Sequence, residues 1–240
     1  MLIAARNAMM AAGKLSAKSY IQDGLVAMWD GIENAGWGTH DGNATTWKDL
    51  VGTIDLTKGS GSYIWHDDCV EFTRVPGAWG YYYNRAPNLS VGFIECVFQM
   101  LGTPSSDVNG CFSIDGAHSA RKMAQIGVIG GVVTVGISDG YHWDISNKYN
   151  DIYTTSFKIG WSPAPWYINA KEITEATGQQ YRNGSNTYVH IGSFWQGCNG
   201  RIFSVRCYSR ALSADEVAAN YSIDKTRFNL DGGGGGEGIV

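Results

Sequence analysis

The chain is short of proline and short of charge. Only 5 of its 240 residues are proline, and 17% are Asp, Glu, Lys or Arg. With 44% apolar residues, low charge excludes a disordered chain, which buries too little apolar surface to offset the cost of ordering. No apolar run approaches the ~18 residues of a membrane-crossing helix. Heptads are missing, and Ala, Glu, Lys, Leu and Arg do not dominate, which excludes a long coiled coil. The glycines keep no period of three, which excludes collagen. Lys and Arg number 18 against 22 Asp and Glu, for a net charge of −4. The basic residues form no stripe, so a nucleic-acid surface is disfavoured, because phosphate affinity needs clustered cations.

Paired cysteines are lacking too. The five, Cys69, Cys96, Cys111, Cys198 and Cys207, are odd in number and show no metal-ligand spacing. Most sit within strand-like stretches, which reads as small buried apolar side chains in a protein made in a reducing cytoplasm. An export signal is not read either. Arg6 and Asn7 interrupt the apolar start and leave Ala8 to Ala12, shorter than the roughly 7–15 apolar residues required. The Ala- and Met-rich start instead predicts a short helix that must bury itself on its own domain or on a partner.

What the chain has in quantity is glycine (32), tyrosine (13) and tryptophan (9). Glycine stands well above its usual share of about 7%. Many short strands joined by turns produce this composition. The middle of the chain is of period two with Gly and Asn punctuation: Leu25 to Trp29 opens as a buried strand, Ile54 to Thr57, Cys69 to Thr73 and Phe93 to Phe98 alternate, and Val132 to Val135, Tyr153 to Trp161, Trp166 to Asn169, Thr187 to Ile191 and Arg201 to Tyr208 complete the series of strand signals. The expected fold is all-β, a two-sheet antiparallel sandwich with a short N-terminal helix and one short helix near the C-terminus. Three parts are expected: an apolar docking or oligomerisation segment at 1–20, the sandwich at 21–228, and a flexible tail at 229–240 carrying Gly232 to Gly236. The late helix is the best specified. Ser213 and Glu216 form a capping box, Leu212 and Val217 bracket it as a hydrophobic staple, and Val217 and Tyr221 fall one turn apart.

Two stretches carry a resemblance. Asp23 to Asp30 (DGLVAMWD), followed by Thr46 to Gly52 (TWKDLVG), resembles the start of concanavalin A-like, laminin G-like jelly-roll modules. Gly200 to Val217 (GRIFSVRCYSRALSADEV) is similar to the strand and helix that close them. Trp166 to Ala170 and His190 to Ser193 resemble two strands between. The resemblance covers about 21–228 and implies two packed antiparallel sheets of six or seven strands each. Activity in the family runs from glycan binding to scaffolding. Forms with a short apolar leader and no export signal resemble virion structural or tail-associated proteins of bacteriophages and prophages of gut bacteria. The resemblance also leaves Ca²⁺ as the one cofactor to consider. Asp41, Asn43 and Thr45 make an oxygen-rich loop, but they lack the Gly and closing Glu of an EF-hand and read as ordinary turn residues. No cofactor and no metal ligand is assigned.

Catalytic patterns are weak. Some enzymes of this fold carry a Glu-x-Asp-x-Glu run on one strand, which alternation places on one face as acid and nucleophile. The strand starting at Phe93 offers Glu95 alone, and adjacent Asp67 and Asp68 would point to opposite faces. Gly136 to Gly140 matches G-x-S-x-G, but Tyr141 to Ile145 alternates like a strand where the elbow needs a helix, so a hairpin turn is expected. The five histidines, His190 among them, show no ligand spacing and read as edge or turn residues. No catalytic residue is assigned.

Aromatic clusters are the remaining binding signal. Flat rings with polar tips suit the C–H faces of sugars. Trp79, Tyr81, Tyr82, Tyr141, Trp143 and Trp195 are the candidate ligand-binding residues, although half of such residues in a strand must face inward and core packing claims many of them. The expected function is a non-catalytic virion or tail-associated protein, homo-oligomeric, docked to other virion proteins through its N-terminal segment and adhering to cell-surface glycans. A glycoside hydrolase of the same fold and a bacterial lectin-like protein are the alternatives. The expected location is the virion, made in the host cytoplasm, with the bacterial cytoplasm or cell surface as alternatives.

Overall fold

The computed structural model describes residues 15–59, 61–73, 81–84, 89, 91–101, 109–115, 122–129, 132–138, 141–146, 151–158, 166–173, 177–178, 188–192 and 199–230. In chain order the strands are β1 (Leu25–Asp30), β2 (Thr46–Trp47), β3 (Leu56–Lys58), β4 (Tyr63–Trp65), β5 (Val70–Phe72), β6 (Tyr81–Asn84), β7 (Phe93–Met100), β8 (Asn109–Asp115), β9 (Lys122–Ile129), β10 (Val132–Ser138), β11 (Tyr141–Ser146), β12 (Ile152–Lys158), β13 (Trp166–Ile168), β14 (Lys171–Ile173), β15 (Thr177–Gly178), β16 (Tyr188–Gly192) and β17 (Gly200–Tyr208). One α-helix, α1 (Ala214–Phe228), follows the last strand.

Two antiparallel sheets form the sandwich that the alternation predicts. The first runs β14-β13-β12-β7-β17-β5-β4. Strand β17 is shared along its length, with Gly200 to Ile202 against β5 and Ser204 to Tyr208 against β1. The second runs β15-β11-β10-β9-β8-β16-β6-β3-β2. Short edge strands such as β4, β14 and β15 carry the sheets to eight and nine strands, beyond the six or seven implied by the family resemblance.

The central strand β7 is buried at every position, and alternation explains why. Ile94, Cys96, Phe98 and Met100 face the second sheet in the main core, beside Trp29, Trp47, Trp166, Val205 and Cys207. Phe93 and Val97 face the other way into two outer clusters, with Tyr20, Met28, Tyr208 and Val217 in one and Phe203, Phe228 and Leu230 in the other. A strand covered on both faces loses the apolar–polar alternation of a half-exposed one. Each buried indole removes on the order of 150–250 Å² from water, an upper figure of about 4–6 kcal/mol before entropy is counted.

The layer over the outer face of the first sheet is α1 together with residues 15–21. Helix α1 starts as expected: the Ser213 Oγ accepts from the Glu216 amide at 3.3 Å, and the Glu216 carboxylate accepts from the Ser213 amide at 2.8 Å. Leu212 and Val217 are both buried in one cluster, so the staple closes. The helix ends at Asn229, which is left-handed (φ 54°, ψ 46°) and donates its amide to the Lys225 carbonyl. The helix expected at the chain start falls outside the described residues, as does the tail from 231 onward. Just after the start, Ala17–Ser19 make one 3-10 turn, and Ala17 and Tyr20 are core residues. Cys69, Cys96 and Cys207 are free and buried, as the sequence suggests. Burial pushes all three thiols well up.

Candidate glycan-binding face

The outer face of the first sheet is filled by charge held out of water. The Arg206 guanidinium, on β17, donates to Asp224 of α1 at 2.8 and 2.7 Å and to Glu95 of β7 at 2.9 Å. Glu95 also accepts from Asn220 at 2.7 Å and from Ser156 at 3.1 Å. The Tyr20 hydroxyl donates to Asp224 at 2.6 Å, and its ring lies 4.0 Å from the Arg206 guanidinium carbon. A second guanidinium, Arg227, donates to Asp30 at 2.9 Å and Glu33 at 3.1 Å. Burial disfavours the Arg206 charge, yet Asp224 and Glu95 outweigh it and hold its pKa well above the ordinary value. Burial raises the carboxyls of Glu95 and Asp30, against the pull of Arg206 and Arg227. Glu95 is therefore a buried anchor for α1, turned away from the second sheet and from solvent.

The second sheet places the aromatic candidates in register. Cross-strand partners share a face, and successive rows alternate between faces. One row runs Tyr82, Ile191, Phe112, Ile126, Val135 and Trp143 across β6, β16, β8, β9, β10 and β11. Tyr82 and Ile191 are wholly buried in the inter-sheet core. Tyr82 is thus a core residue and not a ligand contact. The Trp65 indole donates to its hydroxyl at 3.0 Å, and that hydroxyl donates to the Ala44 carbonyl. Trp143 pairs with Val135 across β11 and β10.

The next row runs Tyr83, His190, Ser113, Gln125, Gly136 and His142. Thr57 of β3 extends it at one end and Thr177 of β15 at the other. Here Tyr83 reaches solvent with 36% of its surface exposed. Its ring stacks on His190 at 24° between planes and 6.3 Å between centroids. Tyr81 is paired with Gly192, two residues from Tyr83, and Tyr141 is paired with Gly178. Trp79 and Trp195 lie outside the described residues. Three consecutive tyrosines give no hint of parity, which is how Tyr83 escapes a reading by composition. His190 is itself buried, 4% exposed, beneath the Tyr83 ring and between buried Val189 and Ile191, although Val189-His190-Ile191 alternates in polarity.

Other motifs resolve into structure. Ser138 pairs with Tyr141 across β10 and β11, so the G-x-S-x-G match lies on a hairpin and not on a nucleophile elbow. The Asp41 carboxylate accepts from the Asn43 amide at 2.8 Å, an ordinary Asx turn. Asp49 accepts from the amides of Met28, Val51 and Ile54 at 3.0 Å each. Among the described residues no group of three His, Cys, Asp or Glu is placed to hold a metal. One exposed aromatic went unread in the sequence. Trp37 stands at the tip of a turn between Gly36 (φ +123°) and Gly38 (φ +69°), where only glycine is unstrained. The Lys18 ammonium lies 5.0 Å from its ring centroid.

Two sets of solved structures share the fold. A Trypanosoma rangeli sialidase in complex with sialic acid superposes with a TM-score of 0.61 at 13% identity, over 84% of this chain and 33% of that one. A botulinum neurotoxin type C structure, whose cell entry is described as dependent on two ganglioside molecules, superposes at 0.58 and 12% identity, over 83% of this chain and 51% of that one. The binding domain of botulinum neurotoxin DC, in complex with SialylT, gives 0.56 at 14% identity, over 83% and 51%. The chain thus spans a third to a half of the structures it matches. No known family profile matches it, and no curated protein does. At these identities the likeness is one of fold, a β-sandwich that occurs in proteins dealing with carbohydrate.

Proposed function

We propose that this protein is a non-catalytic module that holds a glycan on the outer face of its second sheet while its opposite side is anchored elsewhere. The observation that carries this reading is a division of labour between faces. On the first sheet, α1 and residues 15–21 seal the outer face, with Ala17 and Tyr20 buried in one outer cluster and Phe228 and Leu230 in the other. On the second sheet, the outward row carries Tyr83 at the surface.

Holding without cutting is supported by Glu95, the strand carboxylate that a hydrolase of this fold would use, which is locked under α1. Similarity to carbohydrate-handling proteins supports the ligand class. A place on a phage particle, with the leader docked on another virion protein or on a second copy of this chain, is supported by the sequence resemblance and by the anchored side.

Immobilised protein probed with bacterial surface polysaccharides tests the reading. Retention without release of new reducing ends is the expected result. Turnover that disappears on replacing a single carboxylate would overturn it.

A further inference from the structure

We infer that this protein pairs with itself, the apolar start of each copy seated on the exposed Trp37 turn of a second copy. The inference rests on the reading that the chain is anchored through its start, and it names the partner.

The turn is built to hold a tryptophan in water. Trp37 is 38% exposed. Gly36 and Gly38 on either side have positive φ, and a methyl group on either would meet nothing within 4 Å. The glycines serve the backbone path and are not there for want of room. The Thr39 amide donates to the Gly36 carbonyl at 2.9 Å and the Ala35 amide to the Thr39 carbonyl at 3.1 Å, which closes the turn. Two buried side chains pin it. The Asn34 carboxamide accepts from the Asp41 amide at 2.7 Å and donates to the Asp41 carbonyl at 2.9 Å. The Glu33 carboxylate accepts from the Gly38 amide at 2.9 Å, the Ala17 amide at 2.7 Å and Arg227 at 3.1 Å. One buried carboxylate thus fixes the turn, the N-terminal segment and α1 together. A ring on a backbone held this firmly loses little freedom when covered, and tryptophan is among the residues that carry most of the energy of a protein interface.

Area and charge say what covers it. The exposed 38% of a tryptophan side chain is on the order of 100 Å². A stable interface takes about 800 Å² from each partner. Residues 1–14 hold the apolar side chains to supply the rest: Met1, Leu2, Ile3, Met9 and Met10, with Ala4, Ala5, Ala8, Ala11 and Ala12. They lead into the segment of Lys18, whose ammonium lies 5.0 Å from the Trp37 ring centroid. The chain's own segment therefore takes one face of the ring, and the other is left to another molecule. Residues 1–22 carry Arg6, Lys14 and Lys18 and no acid, so the rest of the chain has 15 Lys and Arg against 22 Asp and Glu. A start seated on another start would set like charges together. Seated on the body of a second copy, it meets the opposite sign. Reciprocal exchange makes the contact twice and closes a dimer.

Sedimentation equilibrium of the full chain between about 1 and 100 μM, at about 50 and about 500 mM NaCl, tests this. A dimer that dissociates more readily at the higher salt is expected. Trp37→Ala should raise its dissociation constant at least about tenfold, and so should the double variant Met9→Glu, Met10→Glu. Tyr83→Ala, on the second sheet, should leave the dimer unchanged. Circular dichroism checks the fold of each variant. Should Trp37→Ala not fold, Lys18→Glu, at an exposed position, carries the same expectation. A chain still monomeric at the highest concentration, a dimer indifferent to Trp37 and to residues 9–10, or a monomer that phosphatidylglycerol vesicles capture through those same residues, would overturn the inference. Polysaccharide retention by the same preparations reads the holding function separately. Retention by a monomer leaves that function standing alone, and a dimer that retains no polysaccharide leaves the pairing standing alone.

Discussion

Arg206 and Asp224 meet in a two-pronged ion pair, 2.8 and 2.7 Å, with both side chains wholly out of water. Arg206 is on the last strand and Asp224 is on the helix after it. The buried residues of α1 include Val217 and Phe228, but also Asn220, Asp224 and Arg227. The helix is therefore seated on the sheet by directed polar contacts as much as by apolar burial. Asn220 bridges further, giving its amide to Glu95 and taking the Ile21 amide at 3.0 Å. Strand, helix and N-terminal segment are fastened at one point.

Removing the guanidinium should be costly. Arg206→Met leaves Glu95 and Asp224 buried without their cation, and loss of one partner from a buried pair typically costs about 3–5 kcal/mol. Urea denaturation of the variant should show a midpoint lowered accordingly. Adding Glu95→Gln and Asp224→Asn should recover part of the loss, because the uncompensated charges are then gone. A loss under about 1 kcal/mol for the single variant would show that the pair does not seat the helix.

Glu216 gives a pH dependence of opposite origin to that of the buried acids. Hydrogen bonds from Arg210, then from the Ser213 amide, hold its carboxyl down at about 2. A carboxyl with a lowered native pKa favours folding above its unfolded value near 4.5. That contribution fades as pH falls through about 2. Glu216→Gln should therefore be less stable than the parent at pH 7 by less than about 1 kcal/mol, as partly exposed pairs are. The gap should close progressively between pH 4.5 and 2 in thermal melts. A gap that persists at the acid end would locate the effect in the cap and not in the charge.

Much of the fold was legible because alternation reports which face a residue occupies. Strands β1, β5, β7, β16 and β17 lie where the strand signals fall, and Ser213 with Glu216 marks the helix start. The polar anchor was not legible. Arg206 and Glu95 are 111 residues apart in sequence, and their pairing follows from β7 lying beside β17. The row through Tyr83 and His190 was half legible. Val189-His190-Ile191 declares its parity, whereas Tyr81-Tyr82-Tyr83 reads the same in either phase. Parity there comes from the neighbour, since Tyr82 pairs with buried Ile191 and Tyr83 with His190.

The two adjacent tyrosines should behave as opposites. Tyr82→Phe removes the hydroxyl that accepts from the Trp65 indole and donates to the Ala44 carbonyl. A stability loss of about 1–2 kcal/mol is expected, with glycan binding unchanged. Tyr83→Ala, at the surface, should cost less than about 1 kcal/mol of stability while losing binding. Chemical denaturation paired with calorimetry measures both quantities on each variant. The reverse pattern would place the outward row on the wrong side of the sheet.

Shortening the chain from its start distinguishes anchor from leader. Deletion through Lys14 leaves Ala17 and Tyr20 in place. Deletion through Tyr20 also takes away the Ala17 amide that Glu33 accepts at 2.7 Å, and the ring and hydroxyl that Tyr20 gives to Arg206 and Asp224. Tyr20 is 2% exposed, so its loss opens a cavity beside buried charge. Loss of a large buried aromatic side chain alone costs about 3–5 kcal/mol. The longer deletion should therefore unfold at a markedly lower denaturant concentration than the shorter one. If particle incorporation is lost with the shorter deletion while its denaturation midpoint matches the parent, docking belongs to residues 1–14 and folding to Ala17 and Tyr20. Equal midpoints for the two deletions would instead make residues 15–20 dispensable to the module.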